Sequence, residues 1–284
     1  MGIFSGLESF GLSKLKNVDI YEDASNDDKA SKNEGKSEKP KITEADILFD
    51  KTYTCPVCDS EFKAKTIRTG KVKLISADTD LRPKYQLVDA LKYDAIVCPK
   101  CGYAALNRFF TYMTSGQSKL IREQISVNFK GISDSGDVYS YDDAIARHKL
   151  ALVNTVVKHG KTSERAYTCL KLAWLCRGKA ENLPENTPDR DKVIKQLKAE
   201  EDELIKNAYE GFTSAFMKEQ FPLCGMDECT STYLVADLAR RSGDFEEAIR
   251  WVSRVITSRQ ANERIKEKAR DLKDLIKAHE ANKK

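Results

Sequence analysis

Two short cysteine pairs constrain this chain more than any other feature: Cys55-Pro-Val-Cys58 and Cys98-Pro-Lys-Cys101-Gly-Tyr. A two-residue gap lets both sulfurs of a pair turn toward one ion, and two such pairs complete a four-thiolate tetrahedron. The 39 residues between the pairs exceed a compact zinc finger and suit a ribbon with an elaborated β insert. Cys55, Cys58, Cys98 and Cys101 are therefore expected to form a closed, all-cysteine metal site.

Zinc fits such a site best, because a closed thiolate tetrahedron gives it folding energy without redox liability, about 10–16 kcal/mol in small zinc peptides. The second pair, with its CPxCGY form, also resembles a rubredoxin knuckle. Iron therefore stays open as the alternative, since four sulfur ligands alone do not choose between the two ions.

Charge is distributed unevenly around these pairs. Residues 1–50 carry 7 Lys against 11 Asp/Glu, whereas residues 51–130 carry 14 Lys/Arg against 7 acids; the remainder is nearly neutral. Any attraction for an anionic partner is thus expected on the cysteine-bearing region. No apolar run approaches the roughly 20 residues that span a bilayer. The N-terminus has neither the basic nor the apolar region of a secretory signal. The position where a myristoylation motif wants Ser or Thr is Gly6. The expected location is the cytoplasm, where eight cysteines stay reduced and paired CxxC units mean metal or redox chemistry, not disulfides.

Periodicity divides the chain into three. Residues 1–49 read as a flexible N-terminal segment and linker. Ile3, Leu7 and Phe10 fall on one helical face, which makes Ile3–Leu15 a frayed terminus or a docking peptide, and residues 22–41 hold no Val, Ile, Leu or aromatic residue. Residues 50–130 read as a zinc-ribbon-like domain with following helices. Within it, alternation on both sides of Thr69-Gly70 predicts a hairpin over Glu61–Ile75, Tyr93–Val97 a strand delivering the second knuckle, and residues 104–113 and 116–129 helices. Residues 137–284 read as helical in pairs, with breaks at His159-Gly160, Pro184–Pro188, Phe221-Pro222 and Ser242-Gly243-Asp244; Thr162 or Ser163 is placed to cap the helix after the first break. The fold class is mainly α with a small β module.

Other clusters carry less specific signals. Lys63, Lys65, Arg68, Lys71 and Lys73, with no acid between Phe62 and Ala77, suit either a phosphate-backbone contact or a solvated face. The stacking aromatics of single-strand binders are missing there, which favours the solvated face. Asp78, Asp80 and Arg82 form an acid–base cluster in the DTDLRP loop. Such a cluster more often knits a loop together than does chemistry, with a small-ligand or partner contact next. Cys169 and Cys176, seven apart, are expected in a helical core. Cys224 and Cys229 have a gap that suits metals less well, and His148 and His159 are distant in sequence as second-site ligands. There is no Gly-rich phosphate loop, no GxSxG and no HExxH.

Two resemblances extend this reading. Gly243-Asp244-Phe245-Glu246-Glu247-Ala248-Ile249 resembles the turn and second helix of a tetratricopeptide (TPR) repeat, with Ala236 and Ala248 at the close helix contact. Ala239, Val255 and the lack of a closing proline depart from it. The combination of CPVC, DTDLRPKY, CPKCGYAAL and LKLAWLCR resembles a bacterial family, domain of unknown function 2225 (DUF2225), over most of residues 50–260. That resemblance implies a zinc-ribbon-like module joined to TPR-like helices and implies no activity. The expected function is a non-catalytic zinc-binding adaptor for a protein or peptide. A nucleic-acid or ribosome-associated protein using the basic ribbon is one alternative, and a rubredoxin-like iron protein is another.

Overall fold

The computed structural model describes residues 42–68, 70–132 and 136–281. Ile3–Leu15 and the linker lie outside the described residues.

The β structure is three separate antiparallel hairpins. Strand β1 (Leu48–Thr54) pairs with β2 (Glu61–Ile67), β3 (Leu74–Ala77) with β4 (Pro83–Tyr85), and β5 (Ala95–Val97) with β6 (Ala104–Leu106). The hairpin expected over Glu61–Ile75 does not form. A two-residue turn at Thr69-Gly70 would set Arg68 directly across from Lys71, and like charges facing one another destabilise a ladder. Against β1, by contrast, Lys65 lies across from Asp50 and Lys63 from Thr52. The expected helix over 104–113 is also corrected. Gly102, at φ +74°, turns the chain back on itself, and Ala104–Leu106 then pairs with Ala95–Val97 as β6, followed by a 3₁₀ turn at Asn107–Phe109.

The remainder is helical: α1 (Ser115–Ile121) running into a π turn at Arg122–Ser126, then α2 (Tyr141–Val157), α3 (Thr162–Glu181), α4 (Arg190–Lys218), α5 (Glu228–Arg241), α6 (Phe245–Thr257) and α7 (Glu263–Ala281). Consecutive long helices run antiparallel. Lys179 of α3 meets Asp142 of α2, Arg177 of α3 meets Glu201 of α4, and Arg254 of α6 meets Glu228 of α5.

The breaks between helices have local causes. His159 adopts φ +51° and Gly243 φ +87°, and Asp227 and Asp244 accept N-cap hydrogen bonds from Thr230 and Glu247. Neither Thr162 nor Ser163 caps α3 as anticipated. Instead the Glu219 carboxylate, just past α4, accepts from Ser163 N at 3.0 Å and from its hydroxyl at 2.6 Å. A negative group from a distant element thereby satisfies the positive helix end.

One core runs through α2 to α7, built on Leu170, Trp174, Leu175, Phe212, Leu238 and Val252. Each fully buried Leu contributes on the order of 1.5–3 kcal/mol. Cys169 and Cys176 lie in this core, as their spacing implies. Ala236 and Ala248, the small residues of the repeat-like segment, are both fully buried. A second core of Tyr53, Tyr103, Phe110 and Ile121 lies beneath the knuckles. A third joins β5 and β6 to Ala151 of α2. No helix among the described residues is long and apolar enough to cross a membrane.

Candidate metal centre

Each cysteine pair occupies the turn of a hairpin, and the two turns share one construction. Cys55 N donates to Ser60 O at 3.0 Å and Asp59 N to Cys55 O at 2.9 Å; in the second, Cys98 N donates to Tyr103 O at 2.8 Å and Gly102 N to Cys98 O at 3.0 Å. The residue after the second cysteine is left-handed in both, Asp59 at φ +57° and Gly102 at φ +74°. Asp59 tolerates that conformation as a short polar residue. Gly102 is required twice over, because a Cβ there would also meet the Phe129 ring at 2.5 Å.

The two turns face one another. The four sulfurs all lie within 4.8 Å of each other, with Cys55–Cys101 at 3.5 Å and Cys58–Cys98 at 3.7 Å. A tetrahedron with metal–sulfur bonds of about 2.3 Å has edges of about 3.8 Å. The donor set therefore fits a four-coordinate ion, and no other group of three or more Cys, His, Asp or Glu side chains placed to hold a metal occurs among the described residues. Cys55, Cys98 and Cys101 are buried and Cys58 is half-buried.

Hydrogen bonds from Cys101 and Cys55 pull Cys98 down to about 2, while Cys101 is pushed up by its bonds to the Cys55 and Cys98 sulfurs and by burial. A metal ion held by the four thiolates would displace thiol protons.

Other groups hold the turns in place. Arg122, from the π turn, donates to Val57 O through Nε at 2.8 Å and Nη2 at 2.5 Å. Asn154 Nδ2 of α2 donates to Gly102 O at 3.1 Å. Tyr103 is fully buried and its hydroxyl donates to Phe110 O at 3.0 Å, above a cluster in which Tyr53, Phe62 and Phe110 pack edge to face or stacked.

The DTDLRP cluster belongs to a second, separate junction. It forms the tight turn between β3 and β4, closed by Asp78 N to Arg82 O at 2.9 Å, and its tip is inserted among helices. Asp80 is fully buried in a fork from Arg177 of α3, at 2.6 and 3.1 Å, with Arg241 of α5 at 3.4 Å. Thr79 donates to Asp237 at 2.8 Å and accepts from Tyr233 on its carbonyl at 2.8 Å. Burial pushes the Asp80 carboxyl up, but Arg177 outweighs it and holds it below the usual carboxylate range. Arg82 points the other way, to Glu181 at 2.7 Å and Asp78 at 3.5 Å. The arginine clamp expected of this cluster is thus supplied mainly by Arg177. Its sequence signal is weak: an arginine directly after the apolar run Leu172–Cys176, at the edge of a buried helix face.

The five cations of the basic stretch are brought together only in part. Lys63 and Lys65 lie on β2, Lys71 and Lys73 on the segment that leads into β3, and Arg68 between them donates to Leu48 O at 3.1 Å and covers Phe49. His148 is fully buried, its Nδ1 bonded to Ala144 O at 2.8 Å, and burial lowers it to about 4, which leaves it neutral. Cys224 donates to Ser163 O at 3.2 Å, and Cys229 lies 3.7 Å from the Ser258 hydroxyl, so these thiols have separate partners, one in α3 and one just past α6.

Comparison with known proteins places this sequence in a family. Residues 48–276 match the family described as uncharacterized protein conserved in bacteria (DUF2225), so the match includes all four cysteines and the helices through most of α7. A relative from Borreliella burgdorferi, itself described as an uncharacterized protein, is 22% identical over 154 residues, 48% of this chain and 54% of the relative. The match therefore spans about half of each protein. No solved structure matches the chain.

Proposed function

We propose, for a chain that belongs to the DUF2225 family of bacterial proteins, the role of a non-catalytic adaptor whose zinc ion is structural and whose helices carry recognition. The observation that carries this reading is the closed donor set: four cysteine sulfurs within 4.8 Å of one another, supplied by two matching hairpin turns. Four protein ligands complete a tetrahedron and leave no position for a water or substrate. The chemistry the ion supplies is cross-linking of β1–β2 to β5–β6. Cys55, Cys58, Cys98 and Cys101 hold it, Arg122 and Asn154 fix the turns, and the Tyr103–Phe110 layer keeps water from one side.

With the metal confined to a clasp, recognition falls to the helical part. Its antiparallel pairs stack side by side, and stacked pairs create extended surfaces for a peptide. Elemental analysis of the purified full chain tests the metal assignment, with one zinc per chain as the expected result. The adaptor role predicts a stoichiometric protein partner on purification from the native host, whose binding survives replacement of exposed ribbon lysines and fails on replacement of exposed helix residues. Recovery of the chain alone sinks it.

A second reading has its own observation. The CPxCGY turn resembles a rubredoxin knuckle, both turns share the same pair of backbone hydrogen bonds, and Val57 N lies 3.5 Å from Cys55 Sγ, an N–H directed at sulfur. A red protein with one iron per chain would replace zinc by iron and move the function to electron transfer.

A further inference from the structure

The helical array has two recesses with different fates. On one side of α3, Arg177 and the α5 residues Asp237 and Arg241 are already engaged by the chain's own Asp78-Thr79-Asp80 turn. Another face of α3, turned by roughly a third of a revolution, is open. There α2, α3 and α4 enclose a groove of about 650 Å³. Along its α4 wall it runs from Glu200 to Gly211, about 16 Å at 1.5 Å per residue, which is three helical turns.

The floor is apolar, formed by Leu152, Cys169, Leu172 and Leu204, and Val156 at its edge is 48% exposed. The walls carry opposite charge. Glu200, Glu203 and Glu210 line up on α4 with Asn207 between them, and Lys149 and Arg165 stand on α2 and α3. Lys149 neutralises Glu200 at 2.6 Å, whereas Glu203 and Glu210 are exposed and enter none of the ion pairs among the described residues. Close approach of the two helices beneath the groove is built in, because a Cβ on Gly211 would meet Ala166 Cβ at 2.8 Å.

From this we infer that the α2–α3–α4 groove binds an amphipathic helical segment of a partner protein, about three turns long, with apolar residues at i, i+3 or i+4, and i+7 and with Lys or Arg along the flank that meets α4. The length of the groove sets the number of turns, its floor sets the apolar spacing, and the two unpaired glutamates set the charge of the flank. The inference rests on the adaptor reading and narrows it to one surface and one class of ligand.

A displayed library of helical peptides about 14 residues long, selected on the full metal-loaded chain, tests it. The expected winners carry the stated apolar spacing with a basic flank. A synthetic peptide of that consensus should lose about tenfold or more in affinity for the E203K/E210K chain and regain it when its own lysines are changed to glutamate. Both substituted positions are exposed, so the fold is not at risk, and circular dichroism verifies this. Winners without the basic flank, or indifferent to E203K/E210K, overturn the groove while leaving the adaptor reading in place. A selection that enriches nothing removes both. Self-association of the chain that E203K/E210K disrupts assigns the groove to a second copy and overturns the peptide.

Discussion

The ribbon is held by two junctions built on opposite principles. At the knuckles, four cysteines from two turns converge on a point, where a single ion would join β1–β2 to β5–β6. At the β3–β4 tip no ion takes part; Asp80 and Thr79 are gripped by Arg177, Asp237, Arg241 and Tyr233 from two helices. The first junction joins residues 40 to 46 apart and would be completed by an ion from outside. The second joins residues about 100 to 160 apart and uses only what the chain carries. A clasp of the first kind is lost all at once, whereas one of the second kind weakens bond by bond.

Removing the metal should separate the two junctions most sharply. Structural zinc in small peptides contributes about 10–16 kcal/mol. Chelation or Cys98→Ser should therefore disorder the two knuckle hairpins, with loss of the bound ion in elemental analysis. Far-UV dichroism should retain most of its helical signal, because the α2–α7 core does not include the cysteines of the centre. Collapse of the helical signal together with the metal would show that the junctions are one unit.

Next in size is Asp80→Asn. It removes the fully buried carboxylate that Arg177 and Arg241 share, while Asp78, Glu201 and Asp237 still pair with those guanidinium groups, so the loss should lie below the about 3–5 kcal/mol of breaking an isolated buried pair. Metal content should be unchanged, which chemical denaturation and elemental analysis on the same sample can verify. The same carboxylate gives a pH signature. Its ionisation is favoured in the folded state, so the stability it supplies is present above the unfolded carboxylate value of about 3.9 and is lost as pH falls below it. Wild type should lose stability through that range, and the Asp80→Asn chain should show a shallower slope.

Gly102→Ala tests the knuckle without touching a ligand. Left-handed strain alone costs about 1–3 kcal/mol, and the contact with Phe129 adds to it. The equivalent change in the other turn, Asp59→Gly, should stay within about 0.5 kcal/mol of zero, since relief of strain and lost chain stiffness nearly cancel. Thermal denaturation of the pair reveals whether the two turns are as alike in energy as in geometry. Smallest is Asp244→Ala, which removes the N-cap of α6 and should cost about 1 kcal/mol with metal content and groove binding unaltered.

How much of this was legible follows from the range of each interaction. The four cysteines were legible because metal-ligand spacing is a local pattern, and so were the helix breaks at His159 and Gly243, where backbone conformation is a property of a few residues. The hairpin over Glu61–Ile75 was misread because alternation says that a strand exists and not which strand it pairs with. Residues 104–106 were misread as helix because Ala and Leu suit either state, and the partner β5 decided. The role of Asp80 was half-legible. A loop carboxylate beside an arginine signalled a clamp, but the arginine that matters lies 97 positions away.

By itself, then, the sequence determined which four cysteines come together, the helical character of the described residues after 140, the places where helices stop, and the cysteines that merely fill the core. These depend on spacing, periodicity and capping within a turn or two of the chain. Only the tertiary structure decided which strands pair, that Glu219 caps α3 in place of Thr162 or Ser163, that the Asp78–Asp80 turn fills one recess of the array, and that Glu203 and Glu210 are left facing an open groove. Each of these is settled by which distant charge or apolar face comes to lie opposite, and that is a property of the packed chain as a whole.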